Sequence, residues 1–141
     1  MQSSKRDQLS EKQIKEAPAS HYMNEEQLDF FKCKLLELYE STEIRIQEAR
    51  DQMAKPLDLS DVNDRASWEE QTNIALRIVE REQKLLPKIR QSLERIRLGA
   101  YGYCLESGEP IGIPRLLVRP TAEYCAEVKA VSELKENHYK Q

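Results

Sequence analysis

Trp68, Thr72, Ala75, Val79, Glu82, Leu86, Ile89, Leu93 and Ile96 recur at alternating spacings of 4 and 3 across four heptads. Seven of these nine are apolar. A 3.5-residue period keeps one narrow stripe facing a partner helix, so it predicts a coiled-coil seam rather than a broad core face. A second stripe lies upstream at Leu28, Phe31, Leu35, Leu38, Ile46, Ala49 and Met53, with Thr42 in its gap. Asn24 reads as the N-cap of that helix, and Glu25, Glu26 and Gln27 fill a first turn where the helix dipole favours acid. Pro56 predicts a stop near Lys55, because proline disfavours helix at the residue before it. Gly99 suits the position after the second helix. Two such helices joined by about ten residues form an antiparallel hairpin, each arm roughly 45 Å long at about 1.5 Å per residue. Pro87 lies within the second helix and cannot donate to the carbonyl of Gln83, which predicts a kink.

The rest of the chain reads differently. Residues 1–22 are polar and weakly patterned, with Leu9 and Ile14 marking a short helix. Residues 99–120 read as turns and short extended pieces around Gly102, Gly108, Gly112 and Pro114. Pro120-Thr121-Ala122-Glu123 then opens a last helix, with Cys125, Val128, Val131 and Leu134 on its inner face. The expected fold is mainly α, a long antiparallel coiled-coil hairpin projecting from a small globular head. That head carries a degenerate zinc-finger-like module and a C-terminal helix. The expected divisions are an N-terminal segment 1–32 on the head, a finger 33–98 with its tip at 56–66, and the head 99–141.

Composition narrows the class. Charged residues make up 33% of the 141 and mean hydropathy is −0.75, which suits long exposed helices. No apolar stretch spans a membrane and no apolar signal core opens the chain. Three cysteines, an odd number, argue against a disulfide framework and for a reducing cytoplasm. Net charge is −3, with 11 basic and 17 acidic side chains in residues 1–80 against 11 and 8 in 81–141. An acidic chain is not drawn onto duplex DNA by its overall field, but the basic half has room for a local anion site. No nucleotide-binding loop, nucleophile elbow or histidine-rich metal motif is present, so the sequence offers no enzyme active site.

Cys104 is followed three residues later by Ser107, and Cys125 three residues later by Val128, with 17 residues between the two pairs. That is the spacing of a four-cysteine zinc template with half its ligands replaced. Serine is a poor zinc ligand and valine is none, while a structural zinc site closes four ligands around the metal. The expectation is a folded zinc-type module without zinc, in which Cys104 and Cys125 are small buried residues packed with Ile111, Leu116, Val128 and Val131. Cys33, on the first helix, reads as packing. At the tip, Asp58, Asp61 and Asp64 crowd into seven residues. One helix cap needs one of them. Lys84, Lys88, Arg90, Arg95 and Arg97 make the second helix basic, and a solvated face is the plain reading of such a run.

Asp61-x-x-Asp64-Arg65-Ala66, Tyr101-Gly102-Tyr103-Cys104, Gly108-Glu109-Pro110-Ile111, Arg115-Leu116, Arg119-Pro120-Thr121-Ala122 and Cys125 together resemble the DksA/TraR family, over about residues 20–138. The resemblance implies a monomeric bacterial transcription regulator, not an enzyme. It would bind RNA polymerase by passing its coiled coil into the secondary channel, without sequence-specific DNA contact. It would act with guanosine tetraphosphate as co-effector, weakening open complexes and repressing ribosomal RNA promoters in the stringent response. By position it implies a polymerase-facing tip at Asp61, Asp64 and Ala66, and an alarmone pocket at Leu85, Lys88, Arg119 and Lys129. It also places Cys104, Ser107, Cys125 and Val128 on the four zinc-ligand positions. The two replacements imply a zinc-independent paralogue, useful under zinc starvation. A Gre-like transcript-cleavage factor shares the finger-into-channel architecture and is the alternative reading.

Overall fold

The computed structural model describes residues 8–54, 62–126 and 133–135. Its elements are α1 (Glu11–Glu16), a 3-10 turn at Ala19–His21, α2 (Glu25–Met53), α3 (Val62–Leu98) and α4 (Ile113–Val118). There are no strands among the described residues, only an isolated antiparallel bridge between Tyr103 and Pro110. The chain is mainly helical, and α2 and α3 pack against each other as a hairpin. It divides into two compact units, residues 36–90 and residues 1–35 with 91–141.

In the hairpin unit, the seam from α2 is Thr42, Ile46 and Ala49, and that from α3 is Ala75, Glu82 and Ile89, all buried. All nine positions of the α3 stripe are buried or half-buried, as the 3.5-residue period requires. The two buried polar residues are satisfied locally. Thr42 donates to the Leu38 carbonyl at 2.6 Å. Arg45 Nη2 donates to Thr42 Oγ1 at 3.1 Å and to Glu82 Oε2 at 3.1 Å. A buried carboxylate is tolerable only with such partners. Further along, Gln52 bonds Gln71, and Arg90 donates to the Tyr39 hydroxyl with its guanidinium 5.5 Å from the ring. The helix continues through Pro87, which is exposed.

The other unit is built on long-range contacts. Phe31 and Tyr101 pack with ring centroids 5.6 Å apart, and Tyr101 donates to the Pro120 carbonyl at 2.7 Å. Ile14, Leu35, Leu116 and Ser92 complete a core with almost no exposure. The Tyr22 hydroxyl donates to Gly102 O at 2.5 Å and accepts from Gly112 N at 3.0 Å. Gly102 sits at φ +90°, and a Cβ there would stand 2.7 Å from Met23 Cγ, so the close approach needs glycine.

Caps set the helix ends. Ser10 and Gln13 form a capping box on α1. Asn24 accepts from Gln27 N at 3.0 Å, the cap expected from the sequence. Gly99 and Ala100 bond back to Ile96 and Arg95 at 3.2 and 2.8 Å, a Schellman stop at the expected glycine.

Four expectations need correction. α3 begins at Val62, inside the segment 56–66 expected as the tip, because nothing from there to Trp68 breaks a helix and Asp64 favours the first turn. Residues 113–118 form α4 rather than a turn; Pro114 sits in its first turn, where proline lacks only an N–H that would be unpaired anyway. Gln27, expected only to fill the polar first turn of α2, is buried beside the half-buried Leu28, because its side chain accepts from Met23 N at 2.9 Å. Leu134, expected on an inner face, is 69% exposed. The body of that expected last helix, with Val128 and Val131, lies outside the described residues.

Candidate functional site

Three places carry the chemistry, each within one unit. The first is the start of α3. Asp64 lies in its first turn and Ala66 one residue beyond Arg65, and all three side chains are exposed. Arg65 pairs with Glu69 at 3.5 Å, one turn on. Among the described residues Asp64 pairs with no cation. Since α3 begins at Val62, Asp64 stands inside the helix and is not its N-cap. Asp61 lies outside the described residues.

The second place is a cationic face of α3 around a surface depression of about 500 Å³. Arg77, Arg81, Lys84 and Lys88 line it at helical spacing together with Glu80 and Glu82, Arg81 pairing with Glu82 at 3.5 Å, and the half-buried Leu85 lies beside them. Sequence reading singled out Lys84 and Lys88 but missed Arg77 and Arg81, which a spacing of 4, 3 and 4 along the helix could have revealed. The remaining cations of that run are engaged elsewhere. Arg90 binds Tyr39, Arg95 binds Ser92 at 3.2 Å, and Arg97 pairs with Glu94. Of the four positions expected to contact an alarmone, the structure brings Leu85 and Lys88 together in this depression. Arg119, exposed at the end of α4, belongs to the other unit. Lys129 lies outside the described residues.

The third place is the knuckle at residues 103–110. Cys104 N donates to Glu109 O at 2.8 Å and Gly108 N to Cys104 O at 2.9 Å. Gly108 takes φ +74°, which lets the chain turn back sharply. This fold aims Ser107 N at Cys104 Sγ, 3.5 Å away, and sets Ser107 Oγ 3.9 Å from Cys125 Sγ. Glu109 N donates to Ser107 Oγ at 3.3 Å. Leu105 N donates to Glu123 O at 2.9 Å, which ties the Cys125 segment to the knuckle. Cys104 is buried, and Cys125 is half-buried. Desolvation pushes the Cys104 thiol up. Hydrogen bonds from the Ser107 hydroxyl and the N–H groups of Ser107, Cys125 and Glu106 outweigh it and hold the thiol down at about 6.

The comparisons fit this geometry. Residues 27–96 match the family model described as DnaK suppressor protein DksA, N-terminal domain. Residues 99–134 match that of the prokaryotic dksA/traR C4-type zinc finger. The RNA polymerase-binding transcription factor DksA of Caulobacter vibrioides (strain NA1000 / CB15N) is 41% identical over 116 residues, 82% of each chain. The protein of the same name from Escherichia coli (strain K12) is 36% identical over 126 residues, 86% of this chain and 81% of its own. The structure of transcription factor DksA2 from Pseudomonas aeruginosa superposes with TM-score 0.75 at 45% identity, over 92% of this chain and 100% of that one.

A C4-type module implies zinc, and the residues here do not fit it. Two of the four positions supply sulfur, the third a hydroxyl already accepting from Glu109 N, and the fourth a valine with no donor atom. No group of three or more His, Cys, Asp or Glu able to hold a metal occurs among the described residues. Nor is any helix there long and apolar enough to cross a membrane. The knuckle itself is closed by backbone hydrogen bonds. With both family models matched end to end along one hairpin and one knuckle, the chain belongs to the DksA/TraR family.

Proposed function

We propose that this protein binds RNA polymerase as a transcription regulator and passes its α2–α3 hairpin into the secondary channel. The observation that carries the reading is the alignment of RNA polymerase-binding transcription factors DksA over more than four-fifths of the chain. Asp61, Asp64 and Ala66 are then the polymerase-facing tip. The exposure of Asp64 and Ala66 at the start of α3 supports this, since a charge that makes no ion pair among the described residues keeps more of its field for a partner. Guanosine tetraphosphate is the co-effector, and Leu85, Lys88, Arg119 and Lys129 contact it on the polymerase. Lysine serves there as a point charge and arginine as a planar fork. The outcome is weaker open complexes at ribosomal RNA promoters.

In this reading the protein is a monomer and folds without zinc. Support comes from the donor set at Cys104, Ser107, Cys125 and Val128, and from the hydrogen bonds that close the knuckle without a metal. Metal analysis of purified protein should find no stoichiometric zinc, and chelator should leave its thermal unfolding unchanged. One tightly held zinc per chain would overturn this part.

The tip has its own test. Asp64→Asn keeps size and hydrogen bonding and removes the charge. Its cost to α3 is about 0.3–1 kcal/mol, the worth of one acid in a first turn. Polymerase binding should stay close to wild type while most repression of a ribosomal RNA promoter in vitro is lost. Full repression by Asp64→Asn would reduce Asp64 to a favourable first-turn acid.

A further inference from the structure

Cys104 in the knuckle and Cys125 beside it are the two sulfurs that remain where a C4-type module would supply four. We propose that Cys104 and Cys125 bind one copper(I) ion, or another soft monovalent d10 cation, as a two-thiolate site. Two observations point the two side chains at one place. Ser107 presents its N–H to Cys104 Sγ at 3.5 Å and its hydroxyl to Cys125 Sγ at 3.9 Å. The Leu105–Glu123 bond at 2.9 Å and the Arg115 Nε–Tyr124 O bond at 3.0 Å pin the segment just before Cys125. Cys104 is buried and Cys125 half-buried, so an ion would enter from the Cys125 side and end away from bulk water.

The donor set decides the metal. Zinc needs four ligands, and here it would have to draw half of them from water. Copper(I) has a filled d shell and a soft character that thiolates match, and two thiolates in a near-linear arrangement satisfy it. Ser107 supplies a hard hydroxyl, which does not compete for a soft ion but can hydrogen-bond the thiolates. Binding is an exchange without redox change. The two thiols release their protons, two Cu–S bonds form, and the bis-thiolate complex carries one negative charge. The N–H of Ser107 faces that charge. Cys33 is no candidate: it sits on α2, and its sulfur accepts from Gln8 Nε2 at 2.7 Å, with no second thiol described beside it.

Reduced full-length protein, titrated without oxygen with copper(I) against a chromogenic chelator, should take up one equivalent. Cys33→Ser should not change this. Cys125→Ser should weaken binding by more than the ~10–100-fold lost with an outer-shell partner. Cys104→Ser should do the same, but Cys104 is buried, so the unaltered protein provides a second measurement. X-ray absorption at the copper edge should show two sulfur ligands and no nitrogen or oxygen shell. Nitrogen or oxygen ligation, binding that survives Cys125→Ser, loss on Cys33→Ser, or zinc held as tightly as copper(I) would each overturn the site. The readouts contain no polymerase, so they stand apart from the proposed function.

Discussion

In the hairpin unit, one polar layer of Thr42, Arg45 and Glu82 interrupts a repeating apolar seam, and the side-chain bonds across it, such as Arg45 to Glu82 and Arg90 to Tyr39, each join one residue of α2 to one of α3. In the other unit, Tyr22 reaches Gly102 across 80 positions of sequence, and Tyr101 reaches Pro120 across 19. The seam has many small, similar parts. The second unit has a few contacts that each hold several segments at once. Losing one polar seam residue should therefore cost little, and losing one of those tyrosines should cost much.

Tyr101→Ala should show the largest effect. It removes a buried ring from Phe31 and leaves the Pro120 carbonyl without its donor. Loss of such an aromatic costs about 3–5 kcal/mol. Thermal unfolding followed by circular dichroism would measure it. Tyr101→Phe separates the parts: it keeps the ring and strands the carbonyl, for about 1–3 kcal/mol. If Tyr101→Ala cost no more than a seam substitution, the contrast between the units would fail. Gly102→Ala comes next, at about 1–3 kcal/mol, because it forces alanine to a positive φ and its Cβ against Met23.

These contrasts also explain what the sequence made legible. A 3.5-residue period is a local signal, so α2, α3, the Asn24 cap and the Gly99 stop could be read directly from residue order. The knuckle could be placed because cysteine spacing is equally local. Tyr22 could not be placed, because nothing beside it in sequence says that its hydroxyl bonds Gly102 and Gly112. Buried Gln27 and Ser92 were invisible for a related reason: a polar side chain enters a core only when a particular partner satisfies it, as Met23 N does for Gln27 and Arg95 does for Ser92. Pro114 was misread because proline marks turns and helix first turns alike. At the candidate site, Asp64 and Lys88 were legible as charges. The pairing of Arg90 with Tyr39 and of Arg97 with Glu94 shows which neighbouring charges are already engaged.

Glu82 sharpens the comparison from the hairpin side. Glu82→Ala leaves Arg45, whose side chain is 41% exposed and can turn to water, so the loss should be about 1 kcal/mol. Glu82→Leu fills the seam and removes a buried carboxylate. Such exchanges are often neutral or stabilising, and this one should fall between no change and about 1 kcal/mol of gain. A fall of several kcal/mol on Glu82→Leu would mean that the Arg45–Glu82 pair fixes the helix register, a role that buried polar residues hold in some coiled coils.

The smallest effect on stability belongs to Lys88, and there the comparison reaches function. Lys88 is exposed, lines the cationic depression with Arg77, Arg81 and Lys84, and makes no ion pair among the described residues. Substitution of such a surface residue changes stability by about 0.5 kcal/mol at most. Four exposed cations in water bind a polyphosphate weakly and lose it as salt rises. Docked against a partner, the same cations lose solvent and screening, and each phosphate contact strengthens. Lys88→Ala should therefore leave unfolding unchanged and polymerase affinity close to wild type, while lowering the response to guanosine tetraphosphate in a promoter assay. Lys88→Arg keeps the charge and should restore part of that response. If Lys88→Ala lowered polymerase affinity and the alarmone response equally, Lys88 would belong to the docking surface. The depression on α3 would then serve to hold polymerase rather than the nucleotide.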